Sequence, residues 1–288
     1  EKKLKNKYSL NNVAILVRAI YQTREFEERF LKVGLGYRVL GGTKFYERNE
    51  VKDAVAYLRI ISQKYDDLAL ERVIGSPRRG IGESTLNQLY SFGNQNKLCL
   101  EDSIKKNLEI ASLKPKMKTS LAQLMKMIDK WRLDSETNKH YDLLKIVLDE
   151  SGYSEMLKNK KDMENENRLE NIKELLRAMH DYDNLQSFLE HVALATSIDK
   201  EWEGEKINLM TMHAAKGLEF DVVFLPGWEE GLFPHQKSLE EKGDSGLEEE
   251  RRLAYVGITR AKKEVYLSFA MKRSYHGEWM DALPSRLV

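Results

Sequence analysis

The sequence predicts an α/β protein in which a parallel-sheet domain is interrupted by a long all-helical block. Three observations predict it. The apolar run VAILV at Val13–Val17 is continuous rather than alternating, which suits a strand covered on both faces of a parallel sheet. Strand-like segments gather near the two ends of the 288 residues and vanish between them. Through the middle, apolar residues recur at helical spacing with few glycines or prolines to interrupt them.

In chain order, the first strand is followed by a helical pattern over 21–31 and a second strand over 37–40. Gly41 and Gly42 then break the chain, and residues 49–61 (NEVKDAVAYLRII) read as a helix with Val51, Val55 and Leu58 on one face. This β-α-β-α opening is the start of an open α/β layer. From 62 to 205 only helices are predicted, carried by Leu121/Leu124/Met125/Ile128, Leu143/Val147, Leu169/Ile172/Leu176 and Leu185/Phe188/Val192. Beyond a polar linker at 199–206, strands return over 207–212, 221–225 and 265–269. The simplest topology is a discontinuous α/β domain, 1–62 with 206–288, around an inserted all-α domain, 63–205.

Hydrophobic residues at 41% with 32% charged describe a soluble globular chain long enough to bury a core. Lys+Arg at 47 against Asp+Glu at 46 leave a formal +1, so any nucleic-acid site has to be a local patch. The one cysteine, Cys99, excludes an internal disulfide framework, fits a reducing cytoplasm and reads as a small apolar helix residue. No apolar run approaches the roughly 18 residues of a membrane span. The Lys-rich start lacks the apolar stretch of a signal peptide and suits a proteolytic boundary.

Two stretches carry the chemistry: INLMTMHAAKGLEFDVVF over 207–224 and EEERRLAYVGITRAKK over 248–263. The first reads as strand, loop, strand, with small residues at 214, 215 and 217 that let backbone amides approach a ligand. The second has helical composition, with Leu253, Val256, Gly257 and Ala261 on one stripe and Arg260 near its end. An arginine there suits phosphate because its planar fork stays charged and binds two oxygens at once. The plain alternative is a surface arginine beside a helix C-terminus. None of the 17 glycines is followed by lysine, so the G-x-x-x-x-G-K-[ST] phosphate cradle is absent and only half a nucleotide site is present.

Other segments are weighed beside these. In Arg78-Arg79-Gly80-Ile81-Gly82 the glycines permit tight conformations that aim successive N–H groups at one phosphate, with Ser84 or Thr85 to cap the next helix. Residues 146–150 (IVLDE) imitate a metal-binding Walker-B strand, but Leu143, Val147 and Leu148 continue a helical stripe, so the segment reads as a helix end. The acidic run Glu240, Glu241, Asp244, Glu248, Glu249, Glu250 reads as a solvated loop whose last carboxylates enter the first turn of the following helix. It calls for no functional reading.

The two chemical stretches resemble motifs V and VI of superfamily-one DNA helicases of the UvrD/PcrA/Rep type, and the resemblance extends from near Val13 to near Arg286. In that family two RecA-like motor domains grip ATP between them while single-stranded DNA lies across their tops. The chain resembles the second of them, a P-loop-NTPase-type parallel-sheet domain, with the helical domain inserted into it. The resemblance implies that Arg260 is the catalytic arginine finger at the γ-phosphate and that Glu219 holds the ribose beside Gly217 of the nucleotide loop. It implies that Thr211, His213 and Lys216 lie by DNA phosphates. Arg78, Arg79, Gly80, Ile81 and Gly82 look like the family's duplex-binding GIG element. Relatives stack a base on an aromatic residue before a late glycine; Tyr275-His276-Gly277 stands there, leaving the role to Tyr275, to His276 or to neither. The asparagine that often follows the first arginine of the early Arg18–Arg24 segment is absent. Lys44 and Arg48 are offered to phosphates, with packing by Phe45 and Tyr46 the stronger reading of that segment; Arg168 and Glu170 fit an ion pair as well as a DNA contact.

The implied activity is ATP-dependent 3′–5′ helicase action in repair or replication restart. ATP with Mg²⁺ would be bound mainly by a first RecA-like domain of the same polypeptide, so the chain alone is expected to be inactive. No metal site is expected within it. Expected partners are single-stranded DNA, single/double-strand junctions and repair proteins in the bacterial cytosol and nucleoid, with no membrane. The alternatives are a non-enzymatic DNA- or partner-binding module of helicase-like fold, and the motor part of a RecB/AddA-type helicase-nuclease.

Overall fold

A computed structural model describes residues 7–110, 113–159, 163–197, 203–275 and 278–288. The chain forms two compact units, 1–45 with 198–288, and 46–197. In the first unit the described strands are β1 (Val13–Val17) and β2 (Tyr37–Val39), joined by helix α1 (Thr23–Val33). The second unit holds α2 (Asn49–Ser62), α3 (Asp67–Gly75), α4 (Glu83–Asn96), α5 (Leu100–Glu109), α6 (Pro115–Asp134), α7 (His140–Glu150), α8 (Tyr153–Lys158), α9 (Met163–Met179) and α10 (Leu185–Ser197). The first unit resumes with β3 (Ile207–Thr211), β4 (Phe220–Leu225), α11 (Gln236–Ile258) and β5 (Ala261–Leu267), then the hairpin β6 (Lys272–Tyr275) and β7 (Glu278–Asp281).

The expected parallel sheet is present as five strands in the order β2-β3-β1-β4-β5, every pairing parallel. All five residues of β1 are buried, as a central strand covered on both faces requires. Ala14 and Leu16 point to one face with Met210, Met212, Val223 and Leu225, and there meet Leu253 and Ala254 of α11. Val13, Ile15 and Val17 point to the other with Leu209 and Val222, against Phe30 of α1. Burying each such side chain is worth about 1.5–3 kcal/mol, which fixes the sheet between its layers. Within the described strands of this sheet the buried polar residue is Asn208, which donates to the carbonyls of Asn11 and Val13 (both 2.8 Å) and accepts from Arg38 Nε (2.7 Å). Its hydrogen-bonding capacity is met, so burial costs little.

Helix α2, which the expected boundary at residue 62 assigns to the α/β domain, is the central helix of the second unit. Val51, Ala54, Val55, Tyr57, Leu58, Ile60 and Ile61 are all buried, and it packs on α3, α6, α7, α9 and α10. Its outward polar groups are matched inside the same unit: Asp53 accepts from Arg72 Nε (2.6 Å), Tyr153 OH (2.8 Å) and Ser76 Oγ (3.1 Å).

Three expectations are corrected. The acidic run is helical rather than a loop: α11 spans it, kinked where Gly243 takes φ 54° and ψ −129°. The same helix stops at Ile258 and β5 begins at Ala261, so Arg260 stands between helix and strand, and the strand expected at 265–269 starts four residues earlier. Cys99 is the N-cap of α5, its sulfur accepting from the Asp102 N–H (3.4 Å), instead of a residue within a helix. The imitation Walker-B segment is the end of helix α7.

Candidate nucleotide and nucleic-acid site

The 207–224 stretch crosses the sheet. Thr211 ends β3 opposite Val17, at the carboxyl edge of the parallel strands, while Phe220 opens β4 at the amino edge, paired with Ala261. The eight residues between them connect one edge to the other. The crossing is fixed by short-range bonds: Ala214 N–H to Thr211 Oγ1 (3.2 Å), Ala215 N–H to Thr211 O (3.1 Å), Lys216 N–H to His213 O (3.3 Å) and Leu218 N–H to Ala215 O (3.0 Å). Small residues at 214 and 215 also serve packing. A Cβ on Gly41 would lie 2.9 Å from Ala214 Cβ, and Ala215 is fully buried. Gly217 differs: it is exposed, has open space around it and takes φ +86°, a conformation that favours glycine.

At the carboxyl edge, His213 and Lys216 are exposed and Thr211 is half-buried. Beneath His213 lies a pair that the sequence reading missed. Arg18, one residue past β1, gives Nε to both oxygens of Glu250 (3.1 and 2.9 Å) and Nη2 to Oε1 (2.6 Å); Glu250 Oε2 also accepts from His235 N–H (3.1 Å). Desolvation, and then the charge of Arg18, hold the His213 ring below its ordinary value of 6.5, against the upward pull of Glu250 and Glu249. A signal for Glu250 was available: Gly246, Glu250, Leu253, Ala254 and Gly257 form one buried helical stripe.

At the amino edge, the half-buried Arg260 folds back on the end of α11. Its Nε donates to Val256 O (3.0 Å), Nη1 to Leu218 O (3.1 Å) and Nη2 to Thr259 Oγ1 (3.1 Å). Glu219 is exposed, 3.4 Å from Lys262 Nζ. Arginine, lysine and one carboxylate suit the outer end of a nucleotide, the cations for phosphate oxygens and the carboxylate for ribose hydroxyls. Turning Arg260 outward exchanges bonds to neutral oxygens for bonds to anionic ones that the planar fork can make in pairs, so the donor set fits ATP. Among the described residues no cluster of three or more His, Cys, Asp or Glu side chains is arranged for a metal ion.

In the helical unit, Gly80 takes φ +74° and Gly82 is the N-cap of α4, so neither Ser84 nor Thr85 caps it; Thr85 is buried near Met117 instead. Ile81 is half-buried and Arg78 is exposed. Arg79 is committed internally: it donates to the carbonyls of Val73 and Pro77 (the latter 2.9 Å) and to Tyr57 OH (2.9 Å). The lesser candidates are engaged as well. Arg48 is buried and donates to Asn171 Oδ1 (2.6 Å), Lys44 lies 4.1 Å above the Tyr37 ring, Arg168 pairs with Glu164, and Glu170 pairs with Lys173 (2.7 Å). Phe45 and Tyr46 are both buried. Tyr275 closes β6 opposite Glu278, and His276 lies outside the described residues.

Residues 1–272 match the model of the UvrD-like helicase C-terminal domain. The chain belongs to that family. Among relatives of this UvrD-like domain, a probable DNA helicase II homolog of Rickettsia conorii is 46% identical over 285 residues, covering 98% of the chain and 44% of the relative. The ATP-dependent DNA helicase PcrA of Bacillus subtilis is 42% identical over 295 residues, 98% of the chain and 40% of the relative. PcrA of Staphylococcus aureus is 36% identical over 292 residues, at 99% and 40%. The chain therefore spans less than half the length of these UvrD-like relatives.

Proposed function

We propose that the chain is the C-terminal part of an ATP-dependent 3′–5′ DNA helicase of the bacterial cytosol. In this reading the α/β unit is its second RecA-like motor domain and the helical unit its inserted DNA-binding domain. The observation that carries it is the crossing of the sheet by residues 212–219. One continuous loop has exposed His213 and Lys216 at one edge and Glu219, with Arg260 tied to its Leu218 carbonyl, at the other. A loop with a DNA end and a nucleotide end is what a motor needs to link the two ligands.

ATP and Mg²⁺, when bound, supply the phosphoanhydride and the neutralisation of its charge. On this chain Arg260 would hold the γ-phosphate, Glu219 the ribose, and Gly217 the turn between them. Thr211, His213 and Lys216 would meet the single strand, and the Arg78–Gly82 turn the duplex. The P-loop belongs to a first motor domain of the same polypeptide, and junction DNA and repair proteins are the partners. The test is Arg260→Ala in the complete polypeptide. DNA-stimulated ATP hydrolysis is expected to fall by about 10³ or more, the scale of such a group in phosphoryl transfer. A fall of less than about tenfold removes Arg260 from the phosphate site.

A further inference from the structure

Helix α11 is fastened at two places, to the residue that follows β1 and to the crossing loop. Near its middle, Glu250 takes three hydrogen bonds from Arg18 and one from the His235 amide, with its side chain only 2% exposed. At its C-terminal end, Arg260 reaches Leu218 O. Between these points the helix rests on the loop's first residue: a Cβ on Gly257 would stand 3.0 Å from Met212 Sδ and 3.3 Å from Leu225 Cδ2. From Glu250 to Ile258 the helix rises about 12 Å, so the two fastenings serve opposite edges of the sheet. Arg18 is itself joined to the loop's start, because its neighbour Val17 accepts from Met212 N–H (2.9 Å).

We propose that the Arg18–Glu250 pair is a positioning clamp that holds α11 rigidly along the loop, so that DNA contact at His213 and Lys216 is transmitted to Arg260. This rests on the helicase reading. A buried ion pair is a poor source of stability, because desolvation offsets most of the attraction, and apolar replacements of such pairs are often neutral. What it supplies is a fixed geometry. The bidentate fork sets the angle and the height of the helix at once. The charge of Arg18 also reaches the His213 ring and lowers its proton affinity, while Glu250 pulls the other way, so the pair lies within electrostatic reach of the loop's first exposed residue. Neither Arg18 nor Glu250 touches nucleotide or DNA in this scheme; both act through other residues.

The test uses the complete polypeptide carrying Arg18→Met with Glu250→Gln, which removes both charges, keeps the volumes and leaves an acceptor for the His235 amide. With the melting temperature unchanged, the DNA-stimulated kcat for ATP is expected to fall about tenfold, within the usual range of coupling between sites, while KM for ATP moves less than about twofold. Glu250→Gln alone is expected to fall further, since it leaves the guanidinium without a counter-charge. A complete wild-type polypeptide whose hydrolysis does not respond to single-stranded DNA overturns the helicase reading, and the clamp with it. A DNA-responsive wild type beside a folded double variant whose stimulated kcat stays within about twofold overturns the clamp alone. An equal fall with and without DNA does the same, because it marks general damage rather than lost transmission.

Discussion

Arg260 has the partners of an ordinary helix-end arginine, three neutral oxygens of its own unit, and this is compatible with a second set of partners on a nucleotide. A cation at a helix C-terminus gains only about 0.3–1 kcal/mol from the helix dipole, and phosphate offers the guanidinium anionic oxygens that it can bind bidentately, so the side chain is held without being trapped. His213 is the residue whose ionisation reports on the same site. Its folded pKa is depressed below 6.5, so the folded state binds that proton less readily than the unfolded chain; this contribution to stability is present above 6.5 and is lost as pH falls through the folded value. A nuclear magnetic resonance titration of the ring should give a midpoint below 6.5 in the free chain, and added single-stranded DNA should raise it, since phosphate favours imidazolium. A midpoint at or above 6.5 without DNA would contradict the environment described here. At this scale the sequence singled out His213 and Lys216, and the structure leaves both exposed on the loop. Glu250 escaped notice because it lay in a run of carboxylates whose members differ only in helical phase.

Elements were legible where one force dominates. Val13–Val17 is apolar at every position and had no other place than mid-sheet. The end of α11 was misread because Thr259 and Arg260 are compatible with helix, and only the ladder to β4, with Phe220 N–H donating to Arg260 O (2.9 Å), draws the chain into a strand at Ala261. Tertiary pairing overrides local preference there. The Arg78–Gly82 turn shows the reverse limit: two adjacent arginines look alike in sequence, yet Arg79 spends its fork on Val73, Pro77 and Tyr57 while Arg78 faces solvent. Arg78→Ala should therefore lower the slope of log affinity against log salt for duplex DNA by about 0.9, the value for one phosphate. Arg79→Ala should instead lower the melting temperature, by leaving a helix-end carbonyl and the Tyr57 hydroxyl without their donor. An unchanged slope for Arg78→Ala, measured by fluorescence anisotropy across a salt series, takes this turn out of the DNA interface.

At the scale of the whole molecule, a formal charge of +1 does not announce a site, and the candidate contacts are distributed over two compact units. Each has its own buried interior, and each carries its candidate contacts on turns that rigid elements hold: 212–219 on the sheet, 78–82 at the start of α4. Chemistry at a phosphoanhydride needs more than these turns. The acceleration comes from positioning the transferred group and neutralising its charge from several sides; in the proposed function this chain would supply Arg260 and Glu219, and it has no glycine-lysine pair to cradle phosphates. Purified residues 1–288 should therefore release no phosphate from ATP above background, with or without single-stranded DNA, in a coupled phosphate-release assay. Their DNA affinity should be weak and fall steeply as salt rises, because phosphate contacts rather than base contacts supply it. Turnover that DNA stimulates in this chain alone would mean that a phosphate cradle exists within it, and the division of the nucleotide site between two motor domains would have to be abandoned.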